Sequence, residues 1–279
     1  MKRTSTFLIT MMCFGFAFFY VPIISMIFFS FNHSRLATVW GGFSTEWYGK
    51  LLDNPQILNA AWLSLQIAVL SATFSTLLGT MAGIALVRFR RFRGRTLLAG
   101  LVTSPLILPD VITGISLLML FIMMAQYIGW PGQRGFTTIL IAHITFSMTY
   151  VTTIIQSRLS SMDASVEEAA MDLGSKPWQV LLDVTLPIIS PAILSGWLLA
   201  FTISLDDVVI TSFTTGPGYN TLPMVIWSKV KLGVTPDINA LASIIVGVVA
   251  MGVAVAAIVL TSAERKRERD IQLAIAANQ

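Results

Sequence analysis

The chain has 279 residues, of which 55% are hydrophobic and 11% charged, and its mean hydropathy is +0.77. Water-soluble domains carry about a quarter charged residues, so the composition excludes a soluble protein and places the chain in a bilayer. The lone cysteine, Cys13, lies in an apolar run, and the two histidines, His33 and His143, share no ligand spacing; no disulfide framework and no metal site are expected.

Six apolar runs reach the roughly 20 residues needed to cross a bilayer: 7–31, 60–87, 97–125, 136–155, 188–213 and 240–263. The first follows Lys2 and Arg3 as a signal peptide would. It is too long for one, however, and no small-x-small cleavage site precedes Asn32, so it is expected to remain as a helix. The segment 32–59 carries Trp40, Trp47, Tyr48, Leu51 and Leu52, which suits a short helix at the membrane interface with Ser44 as its cap. Asn32-His33-Ser34 fits a glycosylation sequon, taken as chance because nothing implies a glycosylating compartment. The second run places Ser71, Ser75, Gly79 and Gly83 at every fourth position, a small-residue stripe that lets two helices pack closely.

In the third run Pro105 and Pro109 precede Asp110 and Gly114 follows, which predicts a kink there. His143 in the fourth run reads as a satisfied core histidine rather than a proton relay. The loop 157–187 holds the most information. Ser165 and Glu168 form a capping-box pattern. Val166, Ala169, Ala170 and Leu173 then line one apolar helix face. Gly174 is placed to end that helix, Pro177 to begin a second carrying Trp178, Leu181 and Leu182, and Pro187 to lead into the fifth span. An exposed apolar stripe on such a hairpin docks into something.

The fifth run contains Asp206 and Asp207. A charge at the centre of a membrane helix costs about 2.5–3.5 kcal/mol and defaults to function. At about 1.5 Å per residue, Asp110 and Asp206 fall about 20 and about 27 Å along their spans. Adjacent residues point about 100° apart on a helix, so one of Asp206 and Asp207 is expected to face a solute path and the other to bond a neighbouring helix. Ser204, Asp207 and Thr211 share one face, Thr202 and Asp206 another. Carboxylates beside aromatic faces attract ammonium groups; Trp197, Trp227 and Tyr219 are the available aromatics. Residues alone therefore point to a cationic solute.

Thirteen of the 18 Lys and Arg residues fall in one alternating set of segments, including Arg88, Arg90, Arg91, Arg93, Arg95, Arg158, Lys176 and the cluster Arg265, Lys266, Arg267 and Arg269. Five fall in the other: Arg35, Lys50, Arg134, Lys229 and Lys231. The positive-inside rule then puts both termini and the loop 157–187 in the cytoplasm. The basic surplus is a topology signal, not a nucleic-acid patch.

Glu168-Ala169-Ala170, Gly174 and Val184-x-Leu186-Pro187 at their spacing resemble the EAA motif of ABC importer permeases, with Val184 where the family has Ile. Phe43-Ser44-x-x-Trp47-Tyr48 also resembles that family. Within it, Pro109-Asp110-Val111-Ile112-Thr113-Gly114, Ser204-Leu205-Asp206-Asp207, Gly216-Pro217-Gly218 and Thr221-Leu222-Pro223 are similar to the putrescine/spermidine importers, and to the smaller of their two permease subunits. The resemblance implies an all-α, six-span, type I ABC importer permease, a single transmembrane domain over 1–279 with a coupling loop 157–187 and a basic tail 264–279, multi-pass in a bacterial inner membrane. It further implies a non-enzymatic polyamine permease working with a second permease subunit, a dimeric cytoplasmic ATPase and a periplasmic polyamine-binding protein. Glu168, Ala169, Ala170, Gly174, Leu186 and Pro187 would engage the ATPase, and Asp110, Asp206, Asp207, Trp197, Trp227 and Tyr219 would line the solute path. No GxxxxGK[ST] sequence occurs, so no cofactor is expected on this chain and a partner must hydrolyse ATP. The alternatives are an importer for another cationic solute and, remotely, an intramembrane aspartyl protease, which needs two catalytic carboxylates on different spans but for which a GxGD sequence is lacking.

Overall fold

A computed structural model of the chain describes residues 6–34, 39–89, 91–233 and 236–251. Lys2, Arg3, Arg35, Arg90, the second half of the sixth predicted span, the cluster Arg265, Lys266, Arg267 and Arg269, and the tail 264–279 lie outside the described residues. Helices make up the regular structure of the described residues, and their pairing in the extended sense is limited to one bridge between Asn32 and Phe43. Five of these helical runs are long and apolar enough to cross a membrane, while the sixth predicted span contributes the shorter helix Pro236–Met251. The chain divides into two compact units, Met1–Pro55 with Lys229–Gln279, and Gln56–Ser228.

In the first unit, α1 (Thr6–Ser30) is apolar around its whole circumference, as a lipid-facing span requires. The chain then turns about Asn32. Its side chain is buried; Nδ2 donates to the Val39 carbonyl at 2.7 Å, and Oδ1 accepts the Gly41 amide at 2.7 Å and the Ser34 amide at 3.2 Å. The sequon asparagine is thus a structural tie with no free amide to modify. α2 (Glu46–Leu52) forms where the aromatics predicted it. Thr45 holds the N-cap position by its backbone and makes no side-chain cap bond; the Ser44 hydroxyl accepts the first helical amide, that of Glu46, at 3.2 Å. Trp47 Nε1 donates to the Asn32 carbonyl at 2.8 Å, and Ser30 Oγ and Tyr48 Oη meet at 2.7 Å.

The second unit is built on α6 (Phe136–Ser160). Against it pack α9 (Leu186–Asp206), α4 (Arg95–Ile107) and the short α10 (Val209–Thr214), and α10 also packs on α5 (Asp110–Ile128). Ala72, Val151, Ile155, Leu159, Ile189 and Ala200 form one buried cluster; Leu117, Phe121, Ala142, Phe146 and Ile210 form another. α3 (Pro55–Arg88) lays its small-residue stripe on α6: a methyl at Gly79 would stand 2.8 Å from Val151 Cβ, and one at Gly83 2.8 Å from Ile155 Cγ2. Side-chain-free positions are what allow the two backbones to approach. Ser71 and Ser75, on the same stripe, are buried too.

Two predicted spans depart from single helices. The third is two helices, because Leu108 adopts an extended conformation (φ −82°, ψ 136°) ahead of Pro109; the proline ring excludes the helical region for its predecessor. A kink was expected; a full break is found. The fifth begins earlier, since α8 (Pro177–Gln179), a π-helical stretch (Val180–Thr185) and α9 form one continuous run from Pro177 to Asp206. Pro187 therefore does not open a new element. Its missing amide and its ring fall where the widened π turn has just loosened the hydrogen-bond ladder, which accommodates both. This span also ends at Asp206 rather than Phe213, with Asp207 extended (φ −66°, ψ 128°) before α10.

Candidate functional site

The two helix breaks bring the predicted carboxylates to helix ends. Asp110 is the first residue of α5, directly after Pro109, and is exposed. At that position a carboxylate meets the unpaired amides and the positive end of the helix dipole. Asp206 is the last residue of α9 and is exposed.

Asp207, its neighbour, turns the other way. Its Oδ2 accepts the Thr211 amide and the Thr211 hydroxyl, each at 2.7 Å, and its Oδ1 accepts the Ile210 amide at 3.2 Å. The carboxylate thereby satisfies the first amides of α10. His143 Nε2 lies 3.4 Å from Oδ2. The histidine is buried, with Nδ1 2.7 Å from Ser204 Oγ and Nε2 2.8 Å from Thr211 Oγ1. Ser71 Oγ lies 2.8 Å from Ser204 Oγ.

The directions follow from proton counting. Thr211 has one hydroxyl proton, given to Asp207, so it accepts from His143 Nε2–H. In the neutral imidazole Nδ1 then accepts from Ser204, and Ser204 accepts from Ser71. The network Ser71–Ser204–His143–Thr211–Asp207 joins α3, α9, α6 and α10 with every member bonded, as a buried polar chain requires. His143 is the hub. Ser204, Asp207 and Thr211 do share a face as the spacing predicted, although the helix is broken between them.

Asp110 and Asp207 do not share a bond, and Asp207 is committed to an amide cap, which is unlike the paired, proton-sharing carboxylates of an aspartyl protease. The aromatics are dispersed. Trp197 is stacked on Phe201 with centroids 5.5 Å apart, and its Nε1 donates to Thr73 Oγ1 at 3.2 Å. The Tyr219 ring covers Gly135, where a methyl would stand 2.8 Å from it. Trp227 is exposed on α11 (Leu222–Leu232). Arg134 Nη1 donates to the Phe213 carbonyl at 3.1 Å, and Gly216 lies so close to the Arg134 carbonyl that a side chain could not be added.

At the other end of the unit, α7 (Ser165–Asp172) and the turn that follows make the hairpin expected of the loop. Its C-terminus is a Schellman motif: Gly174 sits at φ +90°, its amide donates to the Met171 carbonyl at 2.9 Å, and the Ser175 amide to the Ala170 carbonyl at 3.1 Å. Pro177 then starts the second helix, with Gln179 Oε1 accepting the Lys176 amide at 2.8 Å. The start of α7 differs from expectation. Ala164 holds the N-cap position, and Asp163 Oδ1 accepts the Ser165 amide at 3.0 Å; Ser165 is inside the helix, so it does not form a capping box with Glu168. That amide bond, followed by the Ser165 hydroxyl, holds the Asp163 carboxyl below its ordinary pKa.

Leu173 is 89% exposed, Trp178 59% and Leu182 52%, and Val166, Glu168, Ala169 and Met171 are exposed beside them. The hairpin presents an uncovered apolar surface. Glu167, not singled out from the sequence, faces inward: Oε1 accepts from Arg88 Nη2 at 3.0 Å and from the Thr185 hydroxyl at 2.7 Å. This contact joins the C-terminal end of α3 to the loop after α6. Leu186 is half-buried and Pro187 exposed at the base of α9.

Comparison with known proteins gives this geometry its context. The chain is 53% identical to the putrescine transport system permease protein PotI of Escherichia coli K12 over 266 residues, 95% of each chain. It is 45% identical to the spermidine/putrescine transport system permease protein PotC of the same organism, over 82% of this chain and 84% of the relative. A chain in the crystal structure of a bacterial ABC transporter involved in the import of the acidic polysaccharide alginate superposes with a TM-score of 0.69 over 90% of this chain and 92% of that one. At 17% identity it is the fold that is shared, the helical fold of that transporter chain. Residues 75–269 match the family described as the binding-protein-dependent transport system inner membrane component. The chain is therefore a multi-pass inner-membrane transport subunit, not an enzyme, and belongs to that family.

Proposed function

We propose that this chain is one of two permease subunits of an ATP-driven importer for polyamines, putrescine and spermidine. In this reading it crosses the membrane six times as one transmembrane domain, with both termini and the loop 157–187 in the cytoplasm and a basic tail over 264–279. It pairs with a second permease subunit, receives its solute from a periplasmic polyamine-binding protein, and binds no cofactor. ATP is hydrolysed by a dimeric ATPase docked on the loop. The observation that carries the substrate assignment is the similarity, over nearly the whole chain, to a putrescine permease.

The geometry supports a division of labour. Asp206 and Asp110, exposed at helix ends, offer fixed negative charge to an ammonium group in transit, with Trp197, Trp227 and Tyr219 as the aromatic faces of the path. Broken helices at membrane depth are tolerated where they line a cavity. Asp207, also assigned to the path, serves it from behind, by holding the break at which Asp206 is presented. On the loop, Glu168, Ala169, Ala170 and Gly174 shape the surface that enters the ATPase, and Leu186 with Pro187 joins it to α9.

The test is ATP-dependent uptake of labelled putrescine and spermidine by proteoliposomes holding the whole complex, with basic amino acids as competitors. Uptake of at least one polyamine that excess lysine and arginine leave unchanged is expected. No polyamine uptake, or uptake abolished by basic amino acids, would replace polyamines by another cationic solute.

A further inference from the structure

The run from Pro177 to Asp206 is continuous, so displacement of the loop reaches α9 through covalent backbone. α3 has no such connection, since α4, α5 and α6 intervene in the chain. At this end of the unit one carboxylate bonds to both, beside the packing of Ile84 and Val87 with Leu186 and Ile189. Glu167 on α7 receives Arg88, the last residue of α3, and Thr185, the last residue of the π-helical stretch, on a single oxygen at 3.0 and 2.7 Å. The Arg88 and Glu167 side chains are 23% and 15% exposed, so water and salt screen this pair far less than a surface pair. It is the ion pair linking α3 to the loop among the described residues. The pair lines a cleft of about 210 Å³ together with Phe89, Met171, Pro177 and Leu181.

Glu168 is exposed, while Glu167 is turned into the protein. Successive residues on a helix point about 100° apart, so the same short helix faces outward with one acid and grips the membrane helices with the other. Higher up, α3 and α9 meet again through Ser71 with Ser204 and Thr73 with Trp197.

We infer that Glu167 is a positioning residue for coupling: it clamps the end of α3 to the junction of loop and α9, so that one movement of the docked loop carries both helices together. The inference rests on the coupling role proposed for the loop. A π-helical stretch, with its poorer hydrogen-bond register, is a place where a helix yields under load; the Thr185–Glu167 bond braces it there. Docking belongs to the outward face of the hairpin and transmission to Glu167.

The experiment uses the complete importer in proteoliposomes, measuring labelled putrescine taken up per ATP hydrolysed and the amount of ATPase subunit co-purifying. Glu167→Gln keeps shape and the Thr185 contact but removes the charge that holds Arg88. It is expected to retain the ATPase and to lower the transport-to-hydrolysis ratio about tenfold, the scale on which one charge-assisted bond biases a two-state equilibrium. Arg88→Gln should match it, Arg88→Lys should recover part of the ratio, and Thr185→Val, which leaves the ion pair, should fall between. A wild-type ratio in Glu167→Gln overturns the inference. Loss of the ATPase subunit from that variant also overturns it, because Glu167 would then serve docking. Glu168→Lys separates the two levels: if it keeps both the ATPase and the wild-type ratio, the coupling role of the loop fails, whatever Glu167 does.

Discussion

Asp206 and Asp207 are adjacent acids with opposite tasks, and substitution should separate them. Asp207→Ala removes the acceptor of the Ile210 and Thr211 amides and of the Thr211 hydroxyl, and the oxygen 3.4 Å from His143 Nε2. Loss of a helix cap costs about 1 kcal/mol, and loss of a charged acceptor for a largely buried hydroxyl about 1.5–3 kcal/mol. Together these amount to about 3 kcal/mol. For a chain of this size 1 kcal/mol moves Tm by about 2–4 °C, so Asp207→Ala should melt roughly 6–12 °C below wild type in detergent. Asp206→Asn, altering an exposed carboxylate, should leave Tm within about 1 °C, since surface changes stay within about 0.5 kcal/mol. Its effect should appear in transport instead, as reduced polyamine uptake by the complex. Thermal melts followed by intrinsic Trp fluorescence on the purified complex, paired with uptake assays, make the comparison. An Asp207→Ala protein melting with wild type would show that the His143 hub does not hold the α9–α10 break. An Asp206→Asn protein melting as low as Asp207→Ala would show that both acids are structural.

Three further outcomes are expected. Gly79→Leu drives a side chain into Val151, 2.8 Å from the position of a first methyl, and should cost about 1–3 kcal/mol by overpacking, read as a lower Tm with the protein still in the membrane fraction. Gly174→Val forces a β-branched residue to φ +90°, a strain of about 1–2 kcal/mol; it should lower co-purification of the ATPase without changing membrane insertion. Asn32→Ala strands the Val39 carbonyl and the Gly41 and Ser34 amides; the expected cost is about 1–3 kcal/mol, seen as faster protease cleavage between α1 and α2.

The relation between sequence and structure differs from one element to the next. Apolar runs, the aromatic helix 46–52, the stripe at Ser71, Ser75, Gly79 and Gly83 and the hairpin ended by Gly174 were legible because each rests on local physics: transfer of side chains to lipid, a repeat of four along one helix face, or a single left-handed residue. The exposed apolar face at Val166, Ala169 and Leu173 needed only helix periodicity. Asp110, Asp206 and Asp207 stood out by energetic cost alone, since hydrocarbon penalises any charge.

Tertiary structure decided what those charges do. That Asp207 turns inward to cap α10 while Asp206 stays exposed depends on where α9 breaks, and at that break Asp207 meets Thr211, His143, Ser204 and Ser71, brought together from four helices. That Glu167 rather than Glu168 grips Arg88 depends on how α7 lies against the end of α3, contacts 79 residues apart in the chain. Such long-range pairings leave no periodic trace in a single sequence. Hydrophobicity and helix period act between neighbours and can be read along the chain; the partner of a buried polar group is chosen by packing, and exists only once the helices have met.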